Sequence, residues 1–263
     1  MKNSETKGII FFDLDGTLLN ERSEISTENR LLLLLLDDLN YLLVAASGRS
    51  PKEIETIVGR SPISSYVSLN GQYVVYEKKC ISHHAIPSEL ITELLSFAHK
   101  FQTPVAMYGK EDYRINFINS ATKKLYKLDN ADLPQIDETY FLDEEIFMLY
   151  LFNETPEYDE LFMKEFKGLL TFYRDSPYSL AVILHGRSKK QGIYDIYQQL
   201  SPDVIKNSFA FGDGMNDISM LQSVTHSIAM GNASDSVKKI ADYVTTSHTD
   251  SGILTGLKHY KII

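Results

Sequence analysis

Several short apolar runs punctuate this chain, and they end alike. Gly8 to Phe12, Tyr41 to Ala46 and Ser208 to Phe211 are continuous stretches of Ile, Leu, Val, Phe and Ala bounded by turn residues. Such runs, without polar alternation, read as strands buried on both faces. Helical patterns separate them. Ser26 is placed to cap a helix over about 27–39, Pro51 falls in the first turn of another, and Ser188 precedes a third whose apolar face continues through Ile193, Ile196 and Leu200. Strand–helix–strand–helix order predicts a parallel sheet and an α/β fold. Within the first helix Leu31 to Leu36 are six consecutive leucines, which must cover every side of a helix. One or two of them are expected to stay exposed, a hint of a subunit or inter-domain contact.

Tyr66 to Tyr76 has Asn70-Gly71 between two β-rich runs, a hairpin signal that leaves open whether Asn70 only makes the turn or also faces a site. From about 82 to 185 the pattern changes. Helical stretches near 87–101, 120–128 and 156–167 alternate with β-rich runs near 103–107, 113–118, 146–152, 170–174 and 179–185. This predicts an inserted α+β domain over 82–185, with a core made from 1–81 and 186–263. His83-His84 at the junction would face opposite ways on a strand, which suits a linker rather than a metal pair.

Bulk properties narrow the function. The 263 residues are enough for one large domain or two modest ones. A net charge of −9 argues against nucleic acid or an anionic membrane as partner. The single cysteine, Cys80, excludes an internal disulfide framework and suits a reducing cytoplasm. The first seven residues are polar and the run after them is too short for a signal peptide. The leucine run falls far short of the roughly 18 residues of a membrane span. A cytoplasmic monomer or weak homodimer is expected.

The chemistry sits where the strands end. Asp13 and Asp15 are two residues apart after the first strand, so both side chains can converge at its carboxyl end, the place where open α/β sheets bind ligands. Carboxylates that close need a cation between them or a shared proton. The second strand runs into Ser47-Gly48-Arg49, a hydroxyl, an amide and a charge suited to phosphate oxygens. Lys189-Lys190 open a helix, against its dipole, which a nearby anion would explain. Gly212-Asp213-Gly214-Met215-Asn216-Asp217 follows another strand, and Asp213 and Asp217 bracket a turn that could hold a hard divalent cation. Ser227 to Ala233 is one more strand running into a glycine turn.

Taken in order, Asp13-Leu14-Asp15-Gly16-Thr17-Leu18, Ser47-Gly48-Arg49, Lys189 and Gly212 to Asp217 resemble the four motifs of the haloacid dehalogenase superfamily. The insertion between the second and third motifs, with Asn70-Gly71 and Ala229 to Ala233, resembles the C2-capped, Cof-type phosphatases of subclass IIB. The resemblance implies a Rossmann-like core with a C2 cap and a Mg²⁺-dependent phosphatase for a small phosphorylated metabolite, a sugar phosphate by default. It implies Asp13 as nucleophile and Asp15 as acid and base. Mg²⁺ would be held by Asp13, the main-chain carbonyl of Asp15 and Asp213, with Asp217 or Asn216 completing the shell. Ser47, Gly48, Lys189 and Asn216 would bind the phosphate, with Arg49 and Asn70 toward the substrate. Lys190 remains an alternative to Lys189. Ser47 stands where many relatives carry Thr, which keeps the hydroxyl. Tyr108, Arg114, Tyr150, Arg174 and His185 are the cap positions to consider for substrate choice. A phosphomutase and a non-catalytic phosphate sensor are the competing readings.

Overall fold

The three core strands form where the apolar runs lie, because a sheet covered on both faces has no solvent side to satisfy. In the computed structural model, which describes residues 6–128 and 130–263, β1 (Gly8–Phe12) is buried at every position. The start of the polar leader, 1–5, lies outside the described residues. Helix α1 (Thr27–Asp38) follows, with the Ser26 Oγ accepting from the Asn29 amide as its cap. Then come β2 (Tyr41–Ala46), α2 (Pro51–Val58), β3 (Ser65–Ser68), β4 (Tyr73–Tyr76) and β5 (Lys79–His83). The second stretch holds α3 (Ser88–His99), β6 (Val105–Tyr108), β7 (Tyr113–Ile115), α4 (Ser120–Leu128), the single turn α5 (Tyr140–Asp143), β8 (Met148–Phe152), α6 (Pro156–Glu165), β9 (Leu170–Ser176) and β10 (Ser179–Leu184). The third holds α7 (Lys189–Tyr197), α8 (Pro202–Lys206), β11 (Ser208–Gly212), α9 (Ile218–Leu221), β12 (His226–Ala229), α10 (Asp235–Lys238), β13 (Tyr243–Val244) and α11 (Gly252–His259).

The chain divides into two compact units. One comprises the chain up to Arg49, Glu53–His83 and Ser188–Ile263; the other comprises Ser50–Lys52 and His84–Arg187. The main division therefore falls between His83 and His84, and again after Arg187.

In the first unit eight strands run in the order β13-β12-β11-β1-β2-β3-β4-β5. Pairing is parallel from β13 to β3 and antiparallel from β3 to β5. The sheet reverses its winding at β1, which is hydrogen-bonded to β2 on one side and β11 on the other. The carboxyl ends of β12, β11, β1, β2 and β3 are thus neighbours, at the switch point where a crevice opens. Ile9, Phe11, Val44, Ala46, Val67, Ile193, Ile196 and Ala210 pack on one face, and Phe12 stacks on Phe211 at 5.5 Å. On α1, Leu32, Leu33 and Leu36 are buried while Leu31, Leu34 and Leu35 are exposed. Three leucines stay outside because only one side of the helix meets the sheet.

The second unit is a five-stranded antiparallel sheet in the order β7-β6-β8-β10-β9. Alternate residues Val105, Met107, Leu149, Leu151, Leu180 and Val182 pack with Ile91, Leu94 and Phe162 of α3 and α6. Ala106, Ile115 and Phe152, of opposite parity, pack with Ala121 and Tyr126 of α4. Among the described residues no helix is long and apolar enough to cross a membrane.

Candidate active site

The loop that follows β1 is shaped by one glycine. Gly16 has φ of +75°, and a Cβ there would overlap the Asp213 carboxylate, so the backbone comes closer to that side chain than any other residue permits. The tight loop over Leu14–Leu18 closes with the Leu18 and Leu19 amides donating to the Asp13 and Leu14 carbonyls. Its effect is to leave the Asp13 side chain at the strand end while Thr17 turns back to donate to Asp213 Oδ1 at 3.0 Å.

A carboxylate cluster follows from this arrangement. Asp13, Asp213 and Asp217 each offer an oxygen, and these lie within 4.8 Å of one another. Lys189, at the first turn of α7, places its Nζ 2.5 Å from Asp13 Oδ1 and 2.6 Å from Asp217 Oδ1. It is 1% exposed, so a buried ammonium balances one of three carboxylates. Of the two lysines at the start of α7, Lys189 lies in the cluster, whereas the Lys190 amine sits 5.5 Å from the centroid of the Tyr194 ring. Asp217 is held by the main chain as well, its Oδ2 accepting from the amides of Asp213 and Gly214 at 3.0 and 2.9 Å.

Gly71 fixes how α7 enters. It has φ of +94°, and a Cβ there would overlap the Ser188 carbonyl. The turn over Leu69–Gly71 therefore packs directly under the start of the helix that carries Lys189. Asn70 in that turn is buried, with φ of +53°, and its Oδ1 accepts from Asn216 Nδ2 at 3.0 Å. It thus makes the turn and also meets a residue of the Gly212 to Asp217 loop. Ser47 is buried at the end of β2, and its Oγ accepts from the Arg49 amide at 3.1 Å.

Electrostatics follow from burial. The Asp13 carboxyl is held well above the usual range by burial and by the charge of Asp217, with Lys189 opposing. Asp213 is pushed up to about 6, mainly by burial and by Asp217. Burial alone would lower the Lys189 ammonium, but Asp13 and Asp217 outweigh it and raise it. Carboxylates in this state fit a hard divalent cation, which would relieve both the burial and the mutual repulsion.

Asp15 lies outside this cluster. Its side chain is 55% exposed and takes a two-pronged grip from Arg49, whose Nε and Nη2 donate at 2.8 and 2.7 Å. Arg49, expected to face the substrate, is thereby engaged with Asp15 and with Ser23 Oγ. In the second unit Arg174 is bound by Asp159 at 2.5 and 2.6 Å and by Asn153, so it serves that unit's own fold. Arg114 pairs with Asp112, and Tyr108 stacks on Tyr113 at 4.6 Å. Thr17 and Asn232 carry no role legible in the sequence, yet both donate to Asp213. The glycine turn after β12 is the visible signal for Asn232.

The profile described as haloacid dehalogenase-like hydrolase matches residues 10–257. The YkrA protein of Bacillus subtilis (strain 168) is 32% identical over 259 residues, which cover 97% of this chain and 98% of that one. Phosphatase YwpJ of the same organism is 27% identical, covering 95% and 99%. Among solved structures, the subclass IIB sugar phosphatase BT4131 aligns with a TM-score of 0.85 at 28% identity, covering 97% of this chain and all of that one. The phosphatase BT1666 from Bacteroides thetaiotaomicron aligns with a TM-score of 0.90 at 27% identity, covering 99% and 97%.

Proposed function

The chain belongs to the haloacid dehalogenase-like hydrolases, and on that premise we propose that this Cof-type phosphatase hydrolyses a small phosphomonoester, such as a sugar phosphate, through a phospho-aspartate on Asp13. The observation that carries the reading is the set of Asp13, Asp213 and Asp217 around the Lys189 ammonium at the sheet's switch point.

The difficulty of the reaction is charge. A carboxylate approaching a phosphate dianion at about 4 Å meets a repulsion of order 4 kcal/mol per pair of unit charges, so catalysis is chiefly neutralisation and positioning. Lys189 supports an ionised Asp13 and offers an ammonium to a phosphate oxygen. The Ser47 hydroxyl and the Gly48 amide would take others. Asp13 attacks phosphorus as the ester P–O bond breaks, and Asp15, released from Arg49 and protonated, delivers that proton to the leaving oxygen. Asp15 then takes a proton from water as that water attacks phosphorus, which breaks the Asp13–phosphorus bond and releases phosphate. Asp13, Asp213 and the Asp15 main-chain carbonyl would hold Mg²⁺, which would supply positive charge to offset that repulsion. Asp217 would anchor Lys189 and brace that shell. By likeness to the C2-capped relatives, the unit over 84–187 is assigned to the choice of leaving group.

The test is phosphate release from a panel of sugar phosphates and from p-nitrophenyl phosphate, with Asp13→Asn as the variant. It should fold as the parent does and release no phosphate. Retention of about a tenth of the parental kcat/KM would remove Asp13 as nucleophile.

A further inference from the structure

Asp213 is gripped from two sides by neutral donors. Thr17 Oγ1 donates to its Oδ1 at 3.0 Å, and Asn232 Nδ2 donates to its Oδ2 at 3.2 Å. The same Asn232 amide donates to the Gly16 carbonyl at 2.9 Å. Its Oδ1 accepts from the His248 amide at 3.0 Å and faces the Ser247 hydroxyl at 3.4 Å. Both hydrogens and both lone pairs of one side chain are therefore used. The network also fixes which way the amide points. Turned over, its oxygen would face a carbonyl and a carboxylate, and its NH₂ would face the His248 N–H.

We infer that Asn232 is a positioning residue for the metal ion, setting the rotation of the Asp213 carboxylate without touching the ion itself. It ties the loop after β1, the loop after β11, its own turn after β12 and the segment at 247–248 into one frame around a single carboxylate. An uncharged donor suits this task. It orients the carboxylate and leaves its full charge for a cation, whereas a lysine or arginine would neutralise it. Donors behind metal-bound carboxylates commonly govern affinity by 10- to 100-fold. Asn232 is exposed to solvent, so the low end of that range applies.

The inference rests on the metal site proposed above, and the experiment separates the two. Mn²⁺ is titrated against the full chain without substrate, and free Mn²⁺ is read by electron paramagnetic resonance. The variants are Asn232→Ala and Asp213→Ala, and urea unfolding of the metal-free proteins gives their stability. Asn232→Ala should raise the Kd for Mn²⁺ about tenfold or more while remaining folded. A smaller rise, with Asp213→Ala abolishing binding, overturns the role of Asn232 and leaves the metal site standing. A loss of stability with Kd below that threshold makes Asn232 a loop tether alone and overturns the inference. If the parent fails to bind Mn²⁺, or Asp213→Ala binds as the parent does, the metal site itself falls and the inference with it.

Discussion

Replacing Lys189 by methionine keeps much of the side-chain volume and removes the ammonium that Asp13 and Asp217 share. At 2.5 and 2.6 Å each contact carries a gross attraction of about 6 kcal/mol at an effective dielectric near 20. Desolvation of three buried groups cancels most of it, and breaking a buried pair costs about 3–5 kcal/mol in practice. Two carboxylates then remain within 4.8 Å of each other and of Asp213. Lys189→Met should therefore lose about 3–5 kcal/mol in urea unfolding at about pH 7.5 with chelator present. The deficit should shrink toward acid pH, because the orphaned carboxylates can take up protons, and excess Mg²⁺ should recover part of it. kcat/KM should fall more than about tenfold, while Lys190→Met stays within about threefold. A stability loss below about 1 kcal/mol for Lys189→Met would show that the ammonium does not hold the cluster together and would refute the reasoning.

Two further outcomes follow from the same geometry. Asp213 has a folded-state pKa of about 6 against an ordinary 3.8, so the folded state binds more protons and its contribution to stability falls as pH rises between those values. The swing is about 3 kcal/mol in metal-free protein; it should vanish in Asp213→Asn and flatten in excess Mg²⁺, and a parental unfolding profile indistinguishable from that of Asp213→Asn would contradict it. Gly71→Ala meets both a positive φ and the Ser188 carbonyl, so it should cost about 2 kcal/mol or more in urea unfolding and lower kcat/KM with it, and a neutral result would mean the turn does not seat α7.

The sequence made the strand ends legible because each motif gathers its chemistry within a few residues. Asp13 to Leu18 and Gly212 to Asp217 carry their glycines, carboxylates and strands together, so fold and site could be read as one pattern. What stayed hidden is pairing across distance. Thr17 meets Asp213 across 196 positions, and Asn232 meets Gly16 across 216. Arg49 reads as a phosphate or substrate group, and only the folded chain shows it gripping Asp15. Arg174 has the charge to bind an anion, but Asp159 on α6 already occupies it. Periodicity tells which side of a strand a residue takes, not which neighbour waits there.

The arithmetic of charge explains why the cluster is built at a sacrifice of stability. Asp13, Asp213 and Asp217 carry three negative charges and Lys189 one positive, while Asp15 and Arg49 cancel each other apart from them. The formal sum is −2. Burial raises the proton affinity of Asp13 and Asp213, and a protonated Asp13 is no nucleophile. One ammonium shared between two carboxylates cannot also balance an arriving phosphate dianion. On the proposed reading Asp13 and Asp213 would hold a divalent cation whose charge offsets that sum, leaving Lys189 to face phosphate and nucleophile. A mutation that relieves the repulsion within the cluster, by replacing one carboxylate with its neutral amide, should therefore stabilise the metal-free chain and weaken the reaction together. Strained, like-charged groups persist at a functional site because the surrounding fold holds them there.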